Sequence, residues 1–421
     1  MDCGRRAAFR GSRLDAVIVE RGELYARFSS YRIFFHFPDH TKVKKQVGKM
    51  GKTVKISILH VIFLCMTVIG LKSHVSILPS ILEVGGRDGW MSVLLAAVIV
   101  LPWLLFLVAI TKRMDGRPFI KIIEEKKGTV AAMTIKIIVG GILLLLAAFT
   151  MVEMLLWVHS TFLPTTPIPI LFGIYFILCV MLAVQGLQTI VIANVIVLSV
   201  VVVLGFFIAF VNMGVKDYSL LRPVLEHGMD PVLMAVVFPM AGLTEVLLFI
   251  FIQHHVKSRI QLKHFVLILF LLTGLTMGPL IGAIVEFGPD EAAKQRYPAF
   301  EEWALASIGE FINHMDFFSI YQWMTGAFIR ISFYLYVVTE LFGISTQKKK
   351  IWKYAAPPFA FICLILMLFD EQAFLEMNNY YVLISGTIVL MILAVIFTFL
   401  IRRKKGHRQE GISGAHKGDH T

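Results

Sequence analysis

The sequence predicts an all-α integral membrane protein of about ten transmembrane helices, arranged as two five-span halves in which helices 1 and 6 are discontinuous. Three observations carry this. Hydrophobic residues fill 57% of 421 positions, mean hydropathy is +0.77, and the apolar runs reach the roughly 20 residues that a bilayer requires. Basic residues gather at the ends of alternate runs. Two runs also break midway, one at Gly70-Leu71-Lys72-Ser73-His74, with Pro79 beyond, and the other at Pro239-Met240-Ala241-Gly242. A helix in lipid must satisfy its own backbone, so broken backbone belongs where it lines a cavity or is buried in protein. Interrupted helices in matching positions of two halves point to a small-molecule site near the midplane of a secondary-transporter fold.

Residues 1–50 read as an N-terminal extension. Arg5, Arg6, Arg10, Arg13, Arg21, Arg27 and Arg32 alternate with aromatic residues, without helical or strand period and without an apolar region long enough for a signal peptide. Met50-Gly51-Lys52 leads straight into the first span. The expected natural start is therefore Met50, with the upstream stretch disordered or an over-extended reading frame. Residues 51–403 form the membrane domain, with spans near 56–82, 89–111, 130–160, 168–186, 188–212, 232–254, 264–288, 318–343, 354–370 and 379–401. Residues 404–421 form a basic tail.

The connection at 112–127 carries Lys112, Arg113, Arg117, Lys121, Lys126 and Lys127. Lys257, Arg259 and Lys263 follow span six, and Lys348, Lys349, Lys350 and Lys353 follow span eight. The alternate connection at 163–169 has no basic residue, and 370–379 has acids only. By the positive-inside rule, the span number is even and both termini are cytoplasmic. These flanks account for the net charge of +12, so no nucleic-acid partner is expected. The long outer connection at 287–317 contains an amphipathic stretch (Phe300, Trp303, Ala304, Ile308, Phe311, Ile312), either a lid over the outer mouth or an interfacial helix that shields the bundle.

Cys3, Cys65, Cys179 and Cys363 are scattered without metal spacing and read as filler. The chain lacks GxGxxG after a strand, GxxxxGK[ST], HExxH and GxSxG, so neither an enzyme, a cofactor nor ATP-driven transport is expected. His254-His255 is not expected to hold a metal, because neighbours on an α-helix point about 100° apart and no third ligand is near in sequence.

Ionisable residues inside spans are costly, at about 2.5–3.5 kcal/mol on insertion scales, and mark function by default. Lys72 and His74 sit at the first break; the alternative is a Lys72 that snorkels to an interface. Ser73, Ser76 and Gly70 share that break. Glu153 lies deep in span three, either in an ion pair with Lys72 or Arg330 or against a ligand. Glu245 follows the Pro239–Gly242 break and either caps a restarting helix or lines the site. Arg330 in span eight, with Tyr334 one turn on, is either a fixed charge where ion-coupled transporters of this repeat hold a cation, or a buried salt bridge with Glu153 or Glu245. His159, Glu286 and Glu340 fall near span ends and read as interfacial.

An ordered set of short motifs resembles the spore germination permease family, the B subunits of nutrient germinant receptors. It comprises Ile77-Leu78-Pro79-Ser80, Glu83-Val84-Gly85-Gly86-Arg87-Asp88-Gly89-Trp90 and Phe162-Leu163-Pro164-Thr165-Thr166-Pro167. Leu221-Arg222-Pro223-Val224-Leu225, Phe238-Pro239, Tyr297-Pro298, Phe328-Ile329-Arg330-Ile331-Ser332 and Phe342-Gly343 continue it, over 52–403. The resemblance implies the amino acid–polyamine–organocation superfamily, with a LeuT-like 5+5 inverted repeat. It implies an inner spore membrane location beside A-type and C-type subunits, and a nutrient pocket around Gly70–Ser76 and Pro239–Gly242. Lys72-Ser73-His74 is more polar than the family's usual residues there. The function expected is binding of a small, amino acid-like nutrient and signalling of germination. The alternatives are a proton-coupled amino acid permease and a pore-forming subunit.

Overall fold

The computed structural model describes residues 55–307 and 315–402. The predicted extension at 1–50, the tail at 404–421, and Ile308, Phe311 and Ile312 of the outer amphipathic stretch lie outside the described residues. Among the described residues every regular element is helical, and extended backbone pairs only in a parallel bridge between Ile56 and Val256. Eight helical runs among them are long and apolar enough to cross a bilayer. Large side chains such as Phe206, Phe210 and Leu368 face outward. The protein is an all-α integral membrane protein.

The first span is composite: α1 (Ile58–Val68), a π-helical turn at Lys72–Ser76, and α2 (Leu78–Gly85). Spans two to five are α3 (Gly89–Met114), α4 (Phe119–Thr161), α5 (Ile168–Gln185) and α6 (Leu187–Val211). The sixth joins α7 (Asp230–Ala235), α8 (Val237–Leu243) and a 3-10 helix at Thr244–His255. The seventh is α9 (Leu262–Phe287), followed by the short α10 (Pro298–Leu305). The predicted eighth, ninth and tenth spans fall on α11 (Phe317–Leu341), α12 (Ala356–Leu366) and α13 (Leu383–Leu400). Of these, α11 is long but interspersed with Gln322, Thr325, Arg330 and Ser332, and α12 is an 11-residue helix opened by Pro357-Pro358.

Local chemistry explains the joints. The third helix starts at Phe119 rather than at the predicted 130, and Gly128 (φ +87°) kinks it where the basic flank meets the apolar span. Gly186 (φ +88°) makes the one-residue turn between α5 and α6, a conformation that L side chains rarely adopt. In the first span, the Ile77 N–H donates to the Lys72 carbonyl at 3.2 Å, the i→i−5 pattern of a π-turn. In the sixth, Pro239 has no N–H for the Ala235 carbonyl, and the helix is interrupted at Val236.

Both predicted discontinuities exist, but as changes of winding. Leu71, Ile77, Val236 and Leu243 all keep right-handed helical angles. At the first break the π-turn re-bonds the backbone through the Ile77 N–H and the Lys72 carbonyl, and the sixth span continues beyond Gly242 as a 3-10 helix from Thr244.

These segments sit at the centre of the bundle. The sixth span is 89% buried over its most apolar window, whereas the fifth is 22% buried and forms the rim. The turn Lys72–Ser76 packs on α8, α9 and α10. The long α11 lies along α4, α5, α6 and α1. Gly242 and Ser73 meet where the two interrupted spans cross: a Cβ on Gly242 would come within 2.4 Å of Ser73 Oγ.

Candidate functional site

Glu245 is the hub. It is fully buried near the start of the 3-10 helix. Lys72 Nζ reaches its Oε1 at 2.9 Å. Arg330 approaches edge-on, with Nη1 donating to Oε2 at 2.8 Å and Nη2 to Oε1 at 3.1 Å, the fork geometry that suits guanidinium and carboxylate. The Tyr334 hydroxyl donates to Oε2 at 2.6 Å. Arg330 Cζ lies 4.9 Å from the Tyr334 ring centroid, a cation–π contact between residues one turn apart on α11. Arg330 Nε donates to Thr150 Oγ1 at 3.0 Å, and its Nη1 also donates to the Val68 carbonyl, the last of α1. Lys72 reaches the Ala241 carbonyl at 3.4 Å. Spans one, three, six and eight are thus stitched together by one network of buried charge.

This arrangement decides between several readings. Lys72 is buried and ion-paired rather than snorkelling. Glu245 does not cap a restarting helix. The chain stays helical through Gly242, and the Thr244 N–H already donates to the Met240 carbonyl. Arg330 takes Glu245, not Glu153, as its partner. Glu153, expected to pair with Lys72 or Arg330, instead accepts a hydrogen bond from Ser76 Oγ at 2.9 Å. Among the described residues it has no ion pair, because Glu245 holds both cations.

Two cavities flank the network. The smaller, about 20 Å³, is lined by Lys72, Ser76, Thr150, Glu153, Arg330 and Asn378, and has room for about one water molecule. The larger, about 400 Å³ and mainly apolar, lies on the other side of the first span among α6, α9, α10 and α11. Gly70 and His74 open onto it, and His74 Nδ1 lies 3.3 Å from the Leu275 carbonyl. Leu71 and Trp323 line both cavities. Of the predicted set, Lys72, Glu245, Arg330 and Tyr334 converge, Ser76 and Glu153 adjoin them, Gly70 and His74 face the larger cavity, and Ser73 packs on Gly242. Pro239 is buried in α8 and acts through the winding of the sixth span.

At the end of the bundle away from Ile56, α10 packs against α9 and α11. Phe300, Trp157, Tyr297 and Trp323 form an aromatic cluster, with Trp157 and Trp323 stacked 4.2 Å apart. Trp303 Nε1 donates to Gln322 Oε1 at 3.1 Å. Glu302 is buried on α10, where desolvation and neighbouring Glu286 push its carboxyl well above the usual range.

Sequence reasoning missed Thr150, Asn378 and Trp323. Thr150 lies one turn before Glu153 on the same helix face, which is the signal that could have found it. At the opposite end of the bundle, His254, His255 and Glu340 come together, although the two histidines were expected to diverge. They end a 3-10 helix, and the third group arrives from α11.

An all-α bundle with two interrupted central spans, joined by buried charge beside small cavities, defines a transporter-like membrane protein. The spore germination protein family model matches residues 54–375, and the chain belongs to that family. It is 36% identical over 340 residues to spore germination protein XB of Bacillus anthracis, covering 80% of this chain and 95% of the relative. It is 23% identical to the putative spore germination protein YfkT of Bacillus subtilis (80% and 92% covered) and 22% identical to spore germination protein KB of the same organism (84% and 96%).

Proposed function

We propose that this chain is the membrane subunit of a spore nutrient germinant receptor, with a LeuT-like 5+5 arrangement in the inner spore membrane and both termini cytoplasmic. A small amino acid-like nutrient binds among spans one, three, six and eight, and A-type and C-type subunits read the rearrangement. The observation that carries this is the Lys72–Glu245–Arg330 network joining both interrupted spans next to Glu153. A zwitterion suits the pair: its carboxylate draws Lys72 from Glu245, and its ammonium meets Glu153, which accepts a hydrogen bond from Ser76 and has no ion pair among the described residues.

The adjoining cavity is water-sized, so an amino acid enters only by parting spans one and three. A ligand shifts a conformational equilibrium by its differential affinity for the two states, and here binding and opening are the same event. The experiment is thermal stabilisation of the purified chain across amino acids, sugars and nucleosides. One nutrient class raises the melting temperature, and Lys72→Ala and Glu153→Gln abolish that rise at normal expression. Stabilisation that persists in both variants refutes the site. Sustained uptake of the same nutrient into vesicles would move the assignment to a proton-coupled permease.

A further inference from the structure

We propose that His254, His255 and Glu340 form a zinc site that ties the sixth span to the eighth at the end of the bundle carrying Ile56. The three groups each offer a ligand atom, and these atoms lie within 4.8 Å of one another. His254 Nε2 is 2.9 Å from Glu340 Oε1, and His255 Nε2 is 3.2 Å from the same oxygen. A tetrahedral zinc ion with bonds of about 2.0–2.1 Å separates its ligand atoms by about 3.3 Å. The two histidine-to-carboxylate spacings lie close to that value, and the imidazole atoms, no more than 4.8 Å apart, draw together to admit the ion. The donor set, two imidazoles and one carboxylate, is one that zinc uses with an open fourth position. Water fills that position, or the Tyr336 hydroxyl, which is 3.3 Å from both His255 Nε2 and Glu340 Oε2.

The electrostatics ask for a cation here. His254 and His255 end one helix, and Glu340 lies in the last turn of another. Both helix C-termini present partial negative charge, which favours cations and disfavours a carboxylate. Among the described residues, the ion pairs of Glu340 are with these two histidines alone. A divalent ion supplies positive charge at this point between the two helix ends. Imidazole donors favour zinc over manganese, which prefers oxygen ligands.

The position gives the ion leverage. The Ile56 N–H donates to the His255 carbonyl at 2.9 Å, and the Lys257 N–H donates to the Ile56 carbonyl at 2.9 Å. His255 therefore holds the entry to the first span through its backbone and the eighth span through its ring. An occupied site clamps the starts and ends of the three spans that also meet at Glu245, and it resists their separation.

The test uses the full chain purified in detergent, stripped with EDTA and titrated with zinc alone. The expected result is saturable binding of one zinc per chain, a higher melting temperature, and a tetrahedral ligand-field spectrum when cobalt is used instead. His254→Ala, His255→Ala and Glu340→Gln are each expected to weaken binding by about 100-fold or more, beyond the range of outer-shell partners. His227→Ala, on the exposed outer connection, keeps wild-type binding. Zinc-free melting curves separate loss of the site from loss of the fold, and the cobalt spectrum of the unaltered chain needs no variant. Absence of saturable binding, or binding and a cobalt spectrum that persist in all three substitutions, overturns the proposal.

Discussion

Substituting Glu245→Gln tests the physical core of the site. The glutamine keeps the size and a hydrogen-bond acceptor but removes the one negative charge that Lys72 and Arg330 share. Both cations remain buried, with side chains 9% and 3% exposed, and now repel each other. Removing one partner of a buried pair costs about 3–5 kcal/mol, and with two pairs dependent on one carboxylate the upper end applies. At about 2 °C per kcal/mol for a large chain, the melting temperature falls by about 10 °C.

Lys72→Met is the informative contrast. Glu245 then retains the Arg330 fork and Tyr334, the network becomes neutral, and the loss is about 1 kcal/mol, the scale of one net hydrogen bond. The double variant, Lys72→Met with Glu245→Gln, should be more stable than Glu245→Gln alone, because it removes one of the two unpaired cations. Cys65, Cys179 and Cys363 are buried, so a thiol-reactive fluorophore on a heating ramp follows unfolding. A Glu245→Gln protein no less stable than Lys72→Met, or a double variant worse than either, would show that Glu245 is not the charge holding the spans together.

Three further outcomes follow from named contacts. Gly242→Ala places a Cβ 2.4 Å from Ser73 Oγ and lowers the melting temperature; Ser73→Ala restores much of it, since only the hydroxyl clashes, and a double-mutant cycle measures the coupling. Gly70→Ala meets only the far end of Leu275, at 2.5 Å, and is expected to cost about 1 kcal/mol or less, at the mild end of overpacking. Glu302 titrates higher when folded than when unfolded. The folded chain holds a proton there that the unfolded chain has released, so stability declines as pH rises above the unfolded carboxyl value of about 4.3. Glu302→Gln should therefore stabilise the protein at pH 7–8 and lose that advantage near pH 4, in melting curves across that range.

The limits of the sequence reading have a physical pattern. Eight of the ten predicted spans were legible because length and hydropathy are properties of the chain alone; among the described residues α11, with its polar positions, and the 11-residue α12 do not meet that criterion. Lys72, Glu153, Glu245 and Arg330 were legible because a charge inside an apolar run stands out without any structure. Their pairing was not. Glu153 and Glu245 are equivalent as letters, and which one takes Arg330 depends on how α11 crosses α4 and the sixth span. The winding of the breaks was hidden for a related reason. Gly70, Pro239 and Gly242 announce that regular α-helix fails, but a π-turn or a 3-10 helix repairs the backbone as well as unwinding exposes it. That difference reaches the proposed site: if a solute binds there, the side-chain charges of Lys72, Glu245, Arg330 and Glu153 are what it meets. The histidine pair shows the converse: neighbours on a 3-10 helix leave the backbone about 120° apart, yet the two rings lie 4.0 Å apart because both side chains reach the carboxylate that Glu340 brings from α11.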